Sequence, residues 1–241
     1  ATSMLSPHLH FGEIGPWQIY RQTIMYQMQH PETLEQSNHF LSELGWREFS
    51  YYLLYHFPKL SSQNFKSVFD AFPWQQNLSA FQKWKKGETG YPIVDAGMRE
   101  LWLTGGMHNR VRMIVASFLI KNLFIDWREG AKWFDECLLD ADIASNYASW
   151  QWVAGSGADA APYFRIFNPI LQGEKFDPDG EYVKKWVPEL KQVHAKWIHQ
   201  PWAAPLGAIP IRLGLDYPLP IVNHQETRNK ALEYYQGLKP Q

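Results

Sequence analysis

Glu43, Trp46, Arg47 and Ser50 set a carboxylate, an indole, a guanidinium and a hydroxyl at i, i+3, i+4 and i+7. On a helix these side chains share one face. Such a stripe can line a pocket that stacks on a planar base and hydrogen-bonds its edge. A solvated face with one exposed indole would carry the same pattern. A second stripe, Asn109, Arg112 and Met113, follows a glycine pair in GGMHNRVRMIVASFLIKN. Val111, Ile114, Val115 and Phe118 supply its buried side. Asparagine offers a donor and an acceptor together, which suits the edge of a pyrimidine or a flavin. Arg110 points off that face and suits a phosphate. An amphipathic helix with a charged surface is the alternative reading. In LLDADIASNYASWQW, Asp140, Asp142 and Asn146 read as a short polar loop after an apolar helix. Either aspartate could pair with Arg112, since buried carboxylates need partners; an ordinary Asp-rich turn looks the same. At the start, TSMLSPHLHFGEIGP offers the hydroxyls of Thr2, Ser3 and Ser6. Ser6-Pro7 reads as an N-cap followed by proline at N1, an arrangement that caps a helix or receives a phosphate.

Other chemistries are excluded by pattern. There is no HExxH and no Cys–His pairing at ligand spacing, so no metal site is expected. DADIASN lacks the glycine and closing acid of a calcium loop. Neither a P-loop nor a GxGxxG is present. The net charge of −1 denies any global attraction to nucleic acid, so DNA binding would need a local basic patch. The single Cys137 forbids an intramolecular disulfide and fits a reducing, cytoplasmic setting. No apolar run is long enough to span a membrane, and no signal peptide is visible. Twelve Trp, twelve Tyr and fourteen Phe are many for 241 residues and suit stacking or electron transfer as well as an aromatic core.

The elements that must position these residues are helices. Helical spacing predicts helices over 16–29, 37–57 (opened by Ser37 or Asn38, stopped before Pro58), 92–104, 107–125 and 128–139. Residues 59–90 read as irregular with short helices. Beyond residue 168, Pro and Gly recur, with short helices near 181–187 and 224–237. Strand patterns are nearly absent. The expected fold class is all-α, with residues 1–241 forming one domain.

Taken together, TSMLSPHLHFGEI, ELGWREF, TGYPIVDAGMREL, MHNRVRM, FLIKNLFIDWREG and DADIASNYASWQWVAGSGADAAPYFRIFNP resemble the helical FAD-binding domain of the photolyase/cryptochrome family. The motifs fall in the family's order and cover essentially the whole chain. The resemblance implies FAD folded into a U, with adenine against isoalloxazine. Thr2, Ser3, Met4, Leu5 and Ser6 would clasp its phosphates. Arg47 would face it, Arg112 would pair with Asp140 beneath it, and Asp140 and Asp142 would contact ring and ribose. Asn146 would sit at flavin N5. Met4 stands where many relatives have arginine. The family's N-terminal α/β domain, which holds an antenna pigment, is not in this sequence, so the chain is expected to be part of a longer protein.

The resemblance also suggests the subtype. Family members that repair cyclobutane pyrimidine dimers carry Glu, Trp, Asn, Met and Trp around the cavity above the flavin, matched by Glu43, Trp46, Asn109, Met113 and Trp152. Relatives that repair (6-4) photoproducts have histidine in place of Asn109, and DASH-type cryptochromes replace the tryptophans. A dimer flipped out of the duplex loses its stacking and needs aromatic walls, as in the base flipping of photolyases. Arg110, Arg165 and Gln172 would hold the DNA backbone, and Trp150, Trp127 and Trp74 match the family's three-tryptophan electron relay. The expected protein is a monomeric photolyase acting on UV-damaged DNA, with Glu43, Asn109 and Asn146 in catalytic roles. A cryptochrome-type light sensor without repair activity is the alternative.

Overall fold

The run from Ile114 to Ile125 is buried residue after residue, and the rest of the chain is arranged around it. A helix covered on every side lies in the middle of a core, and here Ser117 and Lys121 are buried with its apolar residues. The computed structural model describes residues 2–159 and 164–238. In chain order the helices are α1 (Ser6–His10), α2 (Pro16–Gln29), α3 (Leu34–His56), α4 (Leu78–Lys86), α5 (Pro92–Thr104), α6 (Asn109–Lys121), α7 (Trp127–Cys137), α8 (Ile143–Ala154), α9 (Pro169–Phe176), α10 (Glu181–Trp186), α11 (Ala195–Ile198) and α12 (His224–Gly237). Among the described residues no strand forms; Leu213 and Tyr217 make one isolated bridge. The all-α expectation holds.

Three helices match the expected bounds, α2, α5 and α12, the first two opened by proline at the first position. Others shift for identifiable reasons. The expected 37–57 helix begins at Leu34, because a 3₁₀ turn at Pro31–Thr33 runs directly into it. Ser37 is therefore buried inside α3 rather than capping it. The expected 107–125 helix is α6, opened by His108, whose Nδ1 accepts the Arg110 N–H. It stops at Lys121, and Phe124 then turns the chain with φ of 57°. The two-sided reading of this helix holds only for its first turns, since from Ile114 onward every side is covered.

The main correction concerns residues 140–154. The polar loop ends at Asp142, which caps a further helix, α8, by accepting the Ser145 N–H at 2.7 Å. Asn146 lies inside that helix, not in the loop. Gly155, at φ 95°, closes α8 in the left-handed conformation that glycine adopts without strain. α8 packs against α3, α6 and α7 and so joins the three elements that carry the candidate site. Gln151, fully buried, locks it further: its amide nitrogen donates to the Leu60 and Gln63 carbonyls, and its oxygen accepts from the Phe65 N–H.

Candidate active site

Where α7 passes into α8, two carboxylates gather partners from distant parts of the chain. Arg112 Nη2 donates to both oxygens of Asp140, at 2.9 and 3.1 Å, while Arg112 Nε donates to the Met107 carbonyl. The Ser6 hydroxyl donates to Asp140 Oδ2 at 2.6 Å. Ser6 is thus the first residue of α1 and not its cap; its side chain fastens the N-terminal segment to the floor of the site. Of the two candidates for pairing with Arg112, Asp140 is the partner, and Asp142 has its own set. Besides capping α8, Asp142 accepts from the Tyr51 hydroxyl, and His10 Nδ1 lies 3.9 Å away. Burial by itself would raise the Asp142 carboxyl's pKa. The hydrogen bonds from Tyr51 and Ser145, together with the Arg47 charge, outweigh it and hold the group below the usual carboxylate range.

Arg47 leans on the same arrangement from α3. Its guanidinium lies 4.6 Å from the Tyr51 ring centroid and pairs with Glu48. Tyr51 is a member of the site that the stripe reading missed. Its signal was present, because Arg47 and Tyr51 are i and i+4 on one helix.

Asn146 is buried and held by one end. Its amide nitrogen donates to the Ala131 carbonyl at 2.9 Å and to Asp135 Oδ1 at 2.7 Å. Both partners are on α7, so the amide oxygen is turned away from that helix. It accepts no hydrogen bond from any described residue. Asp135 was also missed; it takes the Tyr147 hydroxyl as well. Burial first, and then this carboxylate, push the Tyr147 pKa up to about 12.

Around this floor stand the other expected residues. Glu43 and Asn109 are exposed, and Trp46 on α3 is 52% exposed, unusual for an indole within a long packed helix. Met113 on α6 and Trp152 on α8 are partly buried and pack on the main core. Arg110 sets its guanidinium 4.7 Å from the centroid of Phe176 at the end of α9. Gln172, also on α9, keeps a buried side-chain oxygen with no partner. Arg165 is exposed, two positions after residues 160–163 of the quoted motif, which lie outside the described residues. Thr2, Ser3 and Met4 are exposed; Ser3 Oγ accepts from the Leu5 N–H, and Met4 has φ of 56°.

The three candidate relay tryptophans differ in setting. Trp150, 2% exposed, meets Phe134 edge-on at 5.0 Å, and its indole N–H is buried without an acceptor. It fits only because residue 130 is glycine: a Cβ there would fall 2.2 Å from its ring. Trp127, one turn earlier on α7, is fully buried and donates its N–H to Asn64 Oδ1 at 2.9 Å. Trp74 is partly exposed against Phe72, with the following residue hydrogen-bonded to the Phe124 carbonyl just ahead of α7. The order from Trp150 to Trp74 therefore runs from a buried ring to one reached by solvent.

The donor and acceptor set fits a flavin dinucleotide. A fixed amide acceptor, two restrained carboxylates, an arginine paired with one of them and exposed hydroxyls on Thr2 and Ser3 match a polar ring edge, a ribose and a pyrophosphate. Among the described residues no group of three His, Cys, Asp or Glu side chains could hold a metal ion, and no helix is long and apolar enough to cross a membrane.

Comparison with known proteins agrees with this chemistry. Residues 40–237 match the family model described as the FAD binding domain of DNA photolyase. The chain is 56% identical to a deoxyribodipyrimidine photo-lyase of Agrobacterium fabrum, over 99% of this chain and 50% of that protein. It is 44% identical to cryptochrome-2 of Arabidopsis thaliana, over 95% of this chain and 39% of the relative. A crystal structure of a bacterial class III photolyase from Agrobacterium tumefaciens superposes with a TM-score of 0.94 at 57% identity, covering 99% of this chain and 50% of the other. The chain spans about half the length of the curated relatives it matches.

Proposed function

Because this chain belongs to the family of the FAD-binding domain of DNA photolyases, we propose that it is the catalytic domain of an enzyme that splits cyclobutane pyrimidine dimers in DNA under blue light. The observation that carries this reading is the set Glu43, Trp46, Asn109, Met113 and Trp152. These residues come from α3, α6 and α8, with α8 packed against both of the others. The half-exposed Trp46 and the partly buried Trp152 are suited to wall a flipped-out dimer. Glu43 and Asn109 can read its polar edges, and Met113 fills the side.

The residues that would hold FAD are Arg47, Arg112, Asp140, Asp142 and Asn146, with Thr2, Ser3, Met4, Leu5 and Ser6 at its phosphates. When bound and reduced, FAD supplies the light absorption and the electron that opens the dimer, and the electron returns once the ring is split. The protein's part is positioning and electrostatics. Asn146 presents a fixed acceptor, the Arg112–Asp140 pair supports the floor, and the aromatic walls exclude water. Trp74, Trp127 and Trp150 would carry an electron inward from the surface in a separate activation step. Arg110, Arg165 and Gln172 would meet the DNA backbone, the two arginines supplying local positive charge on a nearly neutral surface. We further propose that residues 1–241 fold as a single helical domain and act as a monomer in the cytoplasm.

Binding separates this reading from a light receptor that does no repair, a role its similarity to a cryptochrome makes the natural second choice. Affinity is measured for a duplex carrying one dimer and for the same duplex undamaged. A repair domain prefers the damaged duplex, and Trp152→Ala removes most of that preference. Equal affinity for both duplexes would favour the receptor.

A further inference from the structure

The first turn of α6 carries Asn109, Arg110, Arg112 and Met113, but its far end holds two buried polar groups that the proposed reaction does not use. Ser117 and Lys121 are i and i+4, on one face, and 0% and 2% exposed. Both reach the same stretch of chain. The Lys121 ammonium donates to the Arg165 carbonyl and lies 4.2 Å from the Phe164 ring centroid. Ser117 Oγ accepts the Phe167 N–H at 3.2 Å. The two bonds bracket Arg165 and Ile166, just ahead of α9. The Arg165 side chain is exposed, with its guanidinium 4.6 Å from the centroid of the buried Phe167 ring.

A buried lysine usually answers a carboxylate. Here no carboxylate pairs with Lys121 among the described residues, and the charge that acts on it is that of Arg165. Burial, and after it the Arg165 charge, lower the Lys121 pKa to about 7. An apolar side chain of similar length would avoid this cost but could not fix the Arg165 carbonyl. The gain from lysine at this position is a held backbone, and the side chain that this backbone aims outward is a guanidinium.

We propose that Lys121, with Ser117, is a positioning residue for nucleic-acid phosphate binding, clamping the Phe164–Phe167 segment so that Arg165 is presented at the rim of the site. The proposal rests on the reading above that Arg165 meets the DNA backbone. One helix would then supply contacts to the damaged bases at its start and the anchor for a phosphate contact at its end.

The test measures affinity for a dimer-containing duplex against salt concentration, with the purified flavin-loaded protein and its Lys121→Met, Arg165→Ala and double variants. Arg165→Ala is expected to weaken binding severalfold and to reduce the salt slope by about 1, as for loss of one phosphate contact. Lys121→Met should reproduce a large part of both changes. The double variant should be no weaker than Arg165→Ala, because the two residues act as one unit. Ser117→Ala, which removes little volume, should show the same non-additivity if Lys121→Met does not fold. Losses that multiply in the double variants overturn the proposal. So does an unchanged salt slope in Lys121→Met and Ser117→Ala while Arg165→Ala loses affinity. If Arg165→Ala itself binds normally, the DNA-backbone role of Arg165 fails, and the proposal falls with it.

Discussion

Arg112 Nη2 bonds both oxygens of Asp140, and Ser6 completes the same carboxylate from the far end of the chain. The Asp140 side chain is only 8% exposed, against 27% for Arg112. This cluster joins α1, α6 and the α7–α8 turn at the floor of the site. Asp140→Ala should cost about 2 kcal/mol of folding stability, since it strands a charged donor that still has some access to water. The same variant should lose flavin during purification, measured as the visible absorbance per protein. Full flavin content in a destabilised Asp140→Ala protein would separate this cluster from the cofactor.

Asn146 donates from one end of its amide and keeps the other free. Asn146→Ala removes the free acceptor. If that oxygen touches the flavin, the midpoint potential should move by the value of about one hydrogen bond, roughly 1 kcal/mol or 40 mV for a one-electron couple. Spectroelectrochemical titration of the two proteins measures it. Identical potentials would place the asparagine in a structural role.

The two buried relay tryptophans should respond differently to replacement by phenylalanine. Trp127→Phe strands Asn64 Oδ1, whereas Trp150→Phe breaks no hydrogen bond. On that count alone Trp127→Phe is expected to be the less stable by about 1 kcal/mol in denaturant unfolding. Trp127→Phe should also abolish photoreduction and yet retain repair once the flavin is reduced chemically. Loss of both activities would assign Trp127 a structural duty beyond the relay.

Much of this site was legible in the sequence because its residues occur on helices, where spacing fixes which side chains share a face. The stripes on α3 and α6 were readable for that reason. The α8 helix was not. Its polar residues Ser145, Asn146, Ser149 and Gln151 are interspersed among apolar neighbours rather than gathered on one face, so no amphipathic period marks it. Asp135 was missed because its role comes from a contact across helices, with Asn146, that no local pattern encodes; the i, i+4 spacing of Arg47 and Tyr51 was readable, but the bond from Tyr51 to Asp142 was not. Likewise, Ser6 looked like a cap, and only tertiary packing reveals that its hydroxyl is taken by Asp140.

Lys121 gives the protein a pH signature. Its pKa is about 7 in the folded chain against 10.5 for the ordinary group. Between those values the unfolded chain binds the extra proton, so Lys121 makes stability rise with pH over that window. Below about pH 7 both states are protonated, and the burial cost is constant. Lys121→Met lacks this contribution. Its melting temperature relative to the unsubstituted protein should therefore fall steadily as pH is raised from 7 towards 10. A difference that stays constant across that range would show that Lys121 is not perturbed by burial.

The central claim is light-driven reversal of dimers, and it is tested most directly by illumination. The purified protein, loaded with FAD and chemically reduced, is mixed with an oligonucleotide carrying a single cyclobutane dimer and exposed to blue light, and intact pyrimidines are counted against a dark control. Repair in the light alone, sharply reduced by Trp152→Ala and Glu43→Ala, is the predicted result. Dimers that persist while reduced FAD is demonstrably bound would contradict the account.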